Sequence, residues 1–262
     1  MKYKLLIAAI VILAAVSCQR VISVDVGDAA QQLVIEGNIT NILGTQTVTI
    51  SRSVPYDATN VFPTVSGAVV TINDGSANTY RLTETKPGTY TINNLKGKST
   101  TLYLLTVLLN GQAYNAASSM PLQVNLDSLT LVSQVFGNST VKTVVVNYND
   151  PPVVTNQYRF VMYVNGVQVK RIFAESDQFS NGRVVASLLY ERDIDLKTGD
   201  KVDIDMECID PQIYNYWNSL SNQGGNTPQD SSTPANPPTN LTGGALGYFS
   251  AHTIQRKTIT VP

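Results

Sequence analysis

Leu102-Tyr103-Leu104-Leu105-Thr106-Val107-Leu108-Leu109, then Asn110-Gly111, then a return through Ala113 to Ala117, is the stretch that decides the fold class. The first run is apolar on both faces, as a central strand would be, and is too short for an ordinary helix. Asn-Gly is the strongest short hairpin signal, because both residues accept the positive φ that a two-residue turn needs. The hairpin therefore predicts an antiparallel β-protein.

Reading towards the N-terminus finds the same grammar. Leu33 to Ile39 and Thr47 to Ser51 are strand signals, and Ala68 to Ile72 runs into the polar turn Asn73-Asp74-Gly75. Thr79 to Thr83 follows, with Tyr80 and Leu82 on one face, then the turn Pro87-Gly88, then Tyr90 and Ile92. Short β-branched and aromatic runs bounded by Gly, Pro, Asn and Asp are strands. Residues 33–121 are expected to form a sandwich of about seven strands, immunoglobulin-like or transthyretin-like.

Towards the C-terminus, Met120-Pro121 and the polar stretch to Asp127 read as a junction. Strand signals resume at Leu129 to Phe136, Lys142 to Tyr148, Tyr158 to Val164, Val167 to Phe173, Val184 to Tyr190 and Val202 to Cys208, with a second Asn-Gly turn at Asn165-Gly166. Residues 126–262 are expected to form a second antiparallel β-sandwich. One helix interrupts it at 211–222. Asp210 is its N-cap, Pro211 sits at the first helical position, and Ile213, Tyr214, Trp217 and Leu220 make one apolar stripe. Residues 224–244, rich in Gly, Pro, Asn, Ser and Thr, cannot bury a core and read as a long exposed loop. Ala245 to Val261 is assigned to the second domain as its last strand.

The first eighteen residues carry a different signal. Lys2 and Lys4 precede the apolar run Leu5 to Val16, and Ser17 meets Cys18. A charged start, a short apolar core and a small residue at the junction make a secretory signal over residues 1–17. The run falls well short of the roughly 20 residues that span a bilayer. Ala15-Val16-Ser17-Cys18 fits a lipobox, so Cys18 is expected to carry the lipid anchor, with 18–32 as linker.

Charge and cysteine content narrow the function classes. Lys plus Arg is 18 and Asp plus Glu is 19, and charged residues are 14% of the chain. A nucleic-acid binder would show a clustered basic surplus, so that class is set aside. There are two cysteines. With Cys18 lipidated, Cys208 has no partner, and its place in the alternation Val202, Ile204, Met206, Cys208 makes it a small core hydrophobe.

Few residues carry chemistry. The single histidine, His252, reads as a strand-face residue, and a His-rich zinc site is excluded. No Gly-x-Ser-x-Gly elbow or phosphate-cradling glycine loop occurs. Asp203, Asp205 and Glu207 alternate with Val202, Ile204 and Met206, the pattern of a solvated face on a half-buried strand. They are weak candidates for a calcium site or a glycosidase pair. No cofactor is expected. Among the thirteen tyrosines and other aromatics, most share strand faces with Leu, Ile or Phe. The contact candidates are Pro55 and Tyr56 in the loop Val54 to Pro63, and Tyr214, Trp217, Tyr248 and Phe249 near the long loop.

Several motifs together resemble a known family. Val34-Ile35-Glu36-Gly37-Asn38-Ile39-Thr40-Asn41, Ser51-Arg52-Ser53-Val54-Pro55-Tyr56 and Val65-Ser66-Gly67-Ala68-Val69-Val70-Thr71-Ile72 open the match. Pro87-Gly88-Thr89-Tyr90, Ser119-Met120-Pro121 and Leu126-Asp127-Ser128-Leu129 continue it, and Gly243-Gly244-Ala245-Leu246-Gly247-Tyr248-Phe249-Ser250-Ala251 closes it. They resemble a group of Bacteroidetes lipoproteins known only as domain of unknown function four-two-four-nine. The resemblance implies an outer-membrane lipoprotein encoded beside a TonB-dependent receptor, and it carries over no catalytic residue. The segment Gln19 to Asp25 has one acid, where surface-exported lipoproteins often carry an acidic cluster, so both leaflets stay open. The expected function is a non-catalytic binding or accessory module for such a receptor, with a glycan or peptide as possible ligand. The alternatives are a carbohydrate-active surface hydrolase and a free-standing adhesin.

Overall fold

The computed structural model describes residues 31–55, 58–59, 61–136, 139–191, 193–223 and 235–262. The signal segment 1–17, Cys18, Tyr56 and residues 224–234 of the long loop lie outside the described residues. The strands of the first half are β1 (Leu33–Thr40), β2 (Gly44–Arg52), β3 (Val69–Asn73), β4 (Thr79–Arg81), β5 (Thr83–Lys86), β6 (Thr89–Leu95), β7 (Leu102–Leu109) and β8 (Gln112–Ser119). The second half has β9 (Leu126–Phe136), β10 (Ser139–Asn149), β11 (Gln157–Val164), β12 (Val167–Gln168), β13 (Phe173–Ser176), β14 (Val184–Leu189) and β15 (Lys201–Ile209). Helix α1 (Pro211–Gln223) and the long strand β16 (Leu246–Thr260) complete it. The protein is all-β, with one α-helix among the described residues, as the sequence predicts.

The strands form three sheets. A long one runs β12-β11-β15-β16-β1-β2-β6-β5, with β13 also paired to β11; the others run β4-β3-β7-β8 and β14-β10-β9. Each small sheet encloses a core against the long one. The first core holds Ile35, Val48, Leu105, Val107 and Phe249; the second holds Val146, Tyr158, Phe160, Ile204 and Cys208. Cys208 is a core hydrophobe, its thiol pushed up by burial.

The deciding hairpin has the predicted turn. Asn110 and Gly111 take φ of 50° and 81°, and Leu109 pairs with Gln112. Its strand β7 is indeed central, but only one face is covered. Leu102, Leu104 and Leu108 remain between 41% and 45% exposed on the other.

Three expectations are corrected. Val167 to Phe173 is not one strand: β12 ends at Gln168 and β13 begins at Phe173, and they pair with opposite ends of β11. Thr79 to Thr83 is not one strand. The chain changes sheet at the buried Leu82, so that β4 pairs with β3 and β5 pairs with β6. The last strand is not confined to the second half. Its first part runs parallel to β1 over Leu246 to His252, and its second part runs antiparallel to β15 over Thr253 to Thr260. β16 thus joins both halves in one sheet. Gly247 makes the parallel pairing possible: its φ is 96°, and a β-carbon there would collide with the Ile35 carbonyl.

Candidate functional site

Alternation along the long sheet sorts its residues onto two faces. Ile204, Met206 and Cys208 of β15 and Phe249 and Ala251 of β16 face the cores. Asp203, Asp205 and Glu207 face the other way, as do Tyr248, Ser250 and His252 of β16 and Arg159 of β11. Helix α1 lies on this second face, against β11, β13 and β16.

The helix is built as its sequence predicts. Asp210 Oδ1 accepts hydrogen bonds from the backbone N–H groups of Gln212 (2.9 Å) and Ile213 (3.0 Å). Its other carboxylate oxygen accepts from the Ser118 hydroxyl, whose oxygen accepts the Ala251 N–H at 2.8 Å. A buried N-cap therefore ties the helix start to β8 and β16. Ile213 and Tyr216 are the most buried residues of the helix, so the stripe turns towards Tyr216 and leaves Tyr214 at its margin.

Three rings meet where the helix crosses β16. Tyr216, Trp217 and Tyr248 have centroids 5.0 to 5.1 Å apart. The Arg159 guanidinium lies 3.8 Å from the Trp217 centroid, and its Nη1 is 3.0 Å from Glu207 Oε2. His252 follows: its Nε2 is 3.9 Å from Glu207 Oε1 and its Nδ1 is 2.9 Å from Ser250 Oγ. Burial pushes the His252 pKa down, against the pull of Glu207, so the ring is neutral.

This arrangement corrects the reading of the three acids as a solvated face. Asp203, Asp205 and Glu207 are all buried. Glu207 is held by Arg159, Asp205 by Arg256 at 2.5 Å, and Asp203 by Thr258, with Lys201 at 3.4 Å. The Thr258 hydroxyl holds the Asp203 carboxyl below its ordinary pKa. The two arginines come from β11 and β16, strands remote in sequence but adjacent in register. Among the described residues no group of three or more His, Cys, Asp and Glu side chains is placed to hold a metal.

The aromatic contact candidates divide. Trp217 and Tyr248 meet in the ring cluster, with Tyr248 itself buried, while Tyr214 sits partly exposed at the helix margin. Phe249 is 0% exposed in the first core, because it alternates with Tyr248 across the sheet. It is no surface contact. The residues missed by the sequence reading are Arg159 and Tyr216. A lone cation within the apolar run Tyr158 to Val164 is a signal that could have found the first.

The other contact region is the loop between β2 and β3. Pro55 is exposed there. Further along, Val61 is 73% and Phe62 52% exposed, neither of them singled out by its sequence pattern. The base of the loop is fixed: Arg52 N–H donates to the Pro63 carbonyl at 2.8 Å, Val65 N–H to Ile50 at 2.9 Å, and Ser51 bridges Thr64. Below it, Glu84 accepts from the N–H groups of Gly88 (2.9 Å) and Gly67 (3.1 Å). Those bonds, the Gly88 one foremost, lower its pKa to about 2. The loop thus presents exposed apolar side chains on a pinned base.

No curated protein matches the sequence. A family does, over residues 19–258, which takes in both cores, the helix and the ring cluster. With that span covering nearly the whole chain, the protein belongs to the family described as Domain of unknown function (DUF4249).

Proposed function

We propose that this protein is an outer-membrane lipoprotein, anchored through Cys18, that serves as a non-catalytic contact module beside a TonB-dependent receptor in nutrient uptake or surface assembly. The observation that carries the contact reading is the loop around Pro55, Val61 and Phe62. It exposes apolar side chains on a base held by backbone hydrogen bonds, and apolar and aromatic anchors dominate many interfaces. A lipid anchor adds to this by confining the protein to the receptor's membrane, which raises its effective concentration without a tight interface. The hydrolase alternative requires a free pair of carboxylates. Asp205 and Glu207 are instead engaged by Arg256 and Arg159, which favours contact over turnover.

The test is photo-crosslinking in native membranes. A crosslinking residue at Phe62 should capture a TonB-dependent receptor, while one at Glu36, on an exposed strand face, should not. Recovery of no receptor from position 62 under any nutrient condition would remove the accessory reading. Labelled palmitate tests the anchor separately, and its absence from the mature protein would overturn the lipoprotein assignment.

A further inference from the structure

A strand at the rim of a sheet leaves a row of backbone N–H and C=O groups without a partner, and proteins blunt such rims. Most rims of this chain are blunted. β12, β4 and β13 have two, three and four residues, and β5 carries Glu84 and Lys86. β8 is overlaid by the chain before β16: Leu241 bridges Ala116, and Thr242 N–H donates to the Asn115 carbonyl at 2.7 Å. The β14-β10-β9 sheet has the remaining two rims. β9 is bonded at its start by β16, where Gln255 accepts the Leu126 N–H at 2.7 Å and Lys257 donates to the Asp127 carbonyl at 2.9 Å. β14, Val184-Val185-Ala186-Ser187-Leu188-Leu189, has no charge, no proline and no glycine. Among the described residues, no hydrogen bond from outside its sheet reaches its backbone.

The register shows which of its groups are free. Asn149 lies opposite Val184, and one step further the Asp150 N–H donates to the Arg183 carbonyl at 2.9 Å. Arg183 is therefore a bonded position, and bonded positions alternate along an antiparallel pair. Val185, Ser187 and Leu189 turn their N–H and C=O groups towards β10. Val184, Ala186 and Leu188 turn theirs to the open rim. The same three side chains point away from the core, with Val184 80% and Leu188 46% exposed.

We propose that β14 pairs antiparallel with β14 of a second copy of this chain, about a twofold axis through Ala186. Val184 then lies opposite Leu188 of the second copy, Ala186 opposite Ala186, and Leu188 opposite Val184. Every free backbone group of the strand meets a free counterpart, and no other register pairs all three residues. A slip by one residue would set each free group against a position already bonded to β10. The two exposed apolar side chains cover each other twice by symmetry, and no charge is buried. A foreign strand would have to match this row, whereas the chain's own β14 is complementary to itself. The two three-stranded sheets become one continuous sheet. Such pairing goes beyond the accessory reading, since it requires no receptor.

Oxidative disulfide crosslinking of the full-length chain in a non-ionic detergent tests this, with the parent chain as baseline. Ala186→Cys should yield a dimer, because bonded antiparallel partners lie about 5.5 Å apart at Cα, within disulfide reach. Val184→Cys alone and Leu188→Cys alone should not, since each lies four residues, about 14 Å, from its own copy. A mixture of those two variants should crosslink. Leu188→Lys added to Ala186→Cys places a charge in both apolar pairs and should cut the dimer about tenfold. Leu188 is already exposed, so the lysine should leave the fold intact. No more dimer from Ala186→Cys than from Val135→Cys, an exposed position on β9, would overturn the proposal. Equal crosslinking at positions 184, 186 and 188 would mark collision rather than register and also overturn it. So would a disulfide from Ala186→Cys to another protein in cell extract with no dimer of the purified chain, which would assign the rim to a foreign strand.

Discussion

Arg159 and Trp217 dock the only α-helix of the described residues onto the long sheet: the guanidinium lies 3.8 Å from the ring centroid. The same group is 3.0 Å from Glu207, in a site where both side chains are largely buried. A cation over an indole face gains about 0.5–2 kcal/mol, the more so when desolvated. Breaking a buried ion pair by removing one partner costs about 3–5 kcal/mol, because the other charge is left buried. Arg159→Leu should therefore destabilise by about 3 kcal/mol or more, whereas Arg159→Leu with Glu207→Leu should recover most of that loss. Trp217 is the chain's single tryptophan, so its emission reports the helix dock directly in a urea titration.

The N-cap gives a second, independent measure of the same dock. Asp210→Ala removes the acceptor for two helix N–H groups and strands the Ser118 hydroxyl. Caps contribute about 0.5–2 kcal/mol, and a buried one belongs at the top of that range. Asp210→Asn keeps the capping oxygen and should lose less than half as much. Equal losses for the two variants would mean that charge, not cap geometry, holds the helix start.

What the sequence could show follows from which forces are local. Both Asn-Gly hairpins, the cap Asp210-Pro211 and the alternation ending at Cys208 depend on neighbours in the chain, and all appear where their patterns place them. The pairings of Glu207 with Arg159 and Asp205 with Arg256 span 48 and 51 residues. An alternating acidic strand looks the same whether its outer face meets water or cations from adjacent strands. Phe249 failed as a contact for a similar reason. Tyr248-Phe249 sits beside a polar loop in sequence, yet a strand sends its two rings to opposite faces. The sharing of β16 between the two halves rests on a parallel pairing with β1, which no turn announces.

That pairing rests on one backbone position. Gly247 holds a φ of 96° directly opposite Ile35. Gly247→Ala would place a β-carbon against the Ile35 carbonyl in a conformation that costs an ordinary residue about 1–3 kcal/mol before any clash. The variant should lose more than about 2 kcal/mol of stability. Hydrogen exchange should show the loss first in the amides of β1 and the first part of β16. Unchanged protection there would show that the sheet does not need this glycine.

His252 makes the fold sensitive to mild acid. The ring is buried, and its surroundings are Glu207 from β15, Arg159 from β11, Ser250 on its own strand and Asp210 at the start of α1. Burial is the dominant influence and holds its pKa below the ordinary 6.5, despite the opposing pull of Glu207. Above pH 6.5 both folded and unfolded chains carry a neutral ring, so stability does not depend on this group. Below 6.5 the unfolded chain takes up a proton that the folded chain refuses, and stability falls by up to about 1.4 kcal/mol per pH unit. The fall ends once pH passes the lowered folded value. His252→Asn cannot bind the proton and should flatten the slope of unfolding free energy against pH just below 6.5. Glu84 acts at lower pH. Its folded value of about 2 lies below the ordinary 4.5, so its contribution is present above 4.5 and is lost as pH falls towards 2. Urea titrations at half-unit steps from pH 7.5 to about 3 separate the two windows. A slope just below 6.5 that survives in His252→Asn would assign the acid sensitivity to another group.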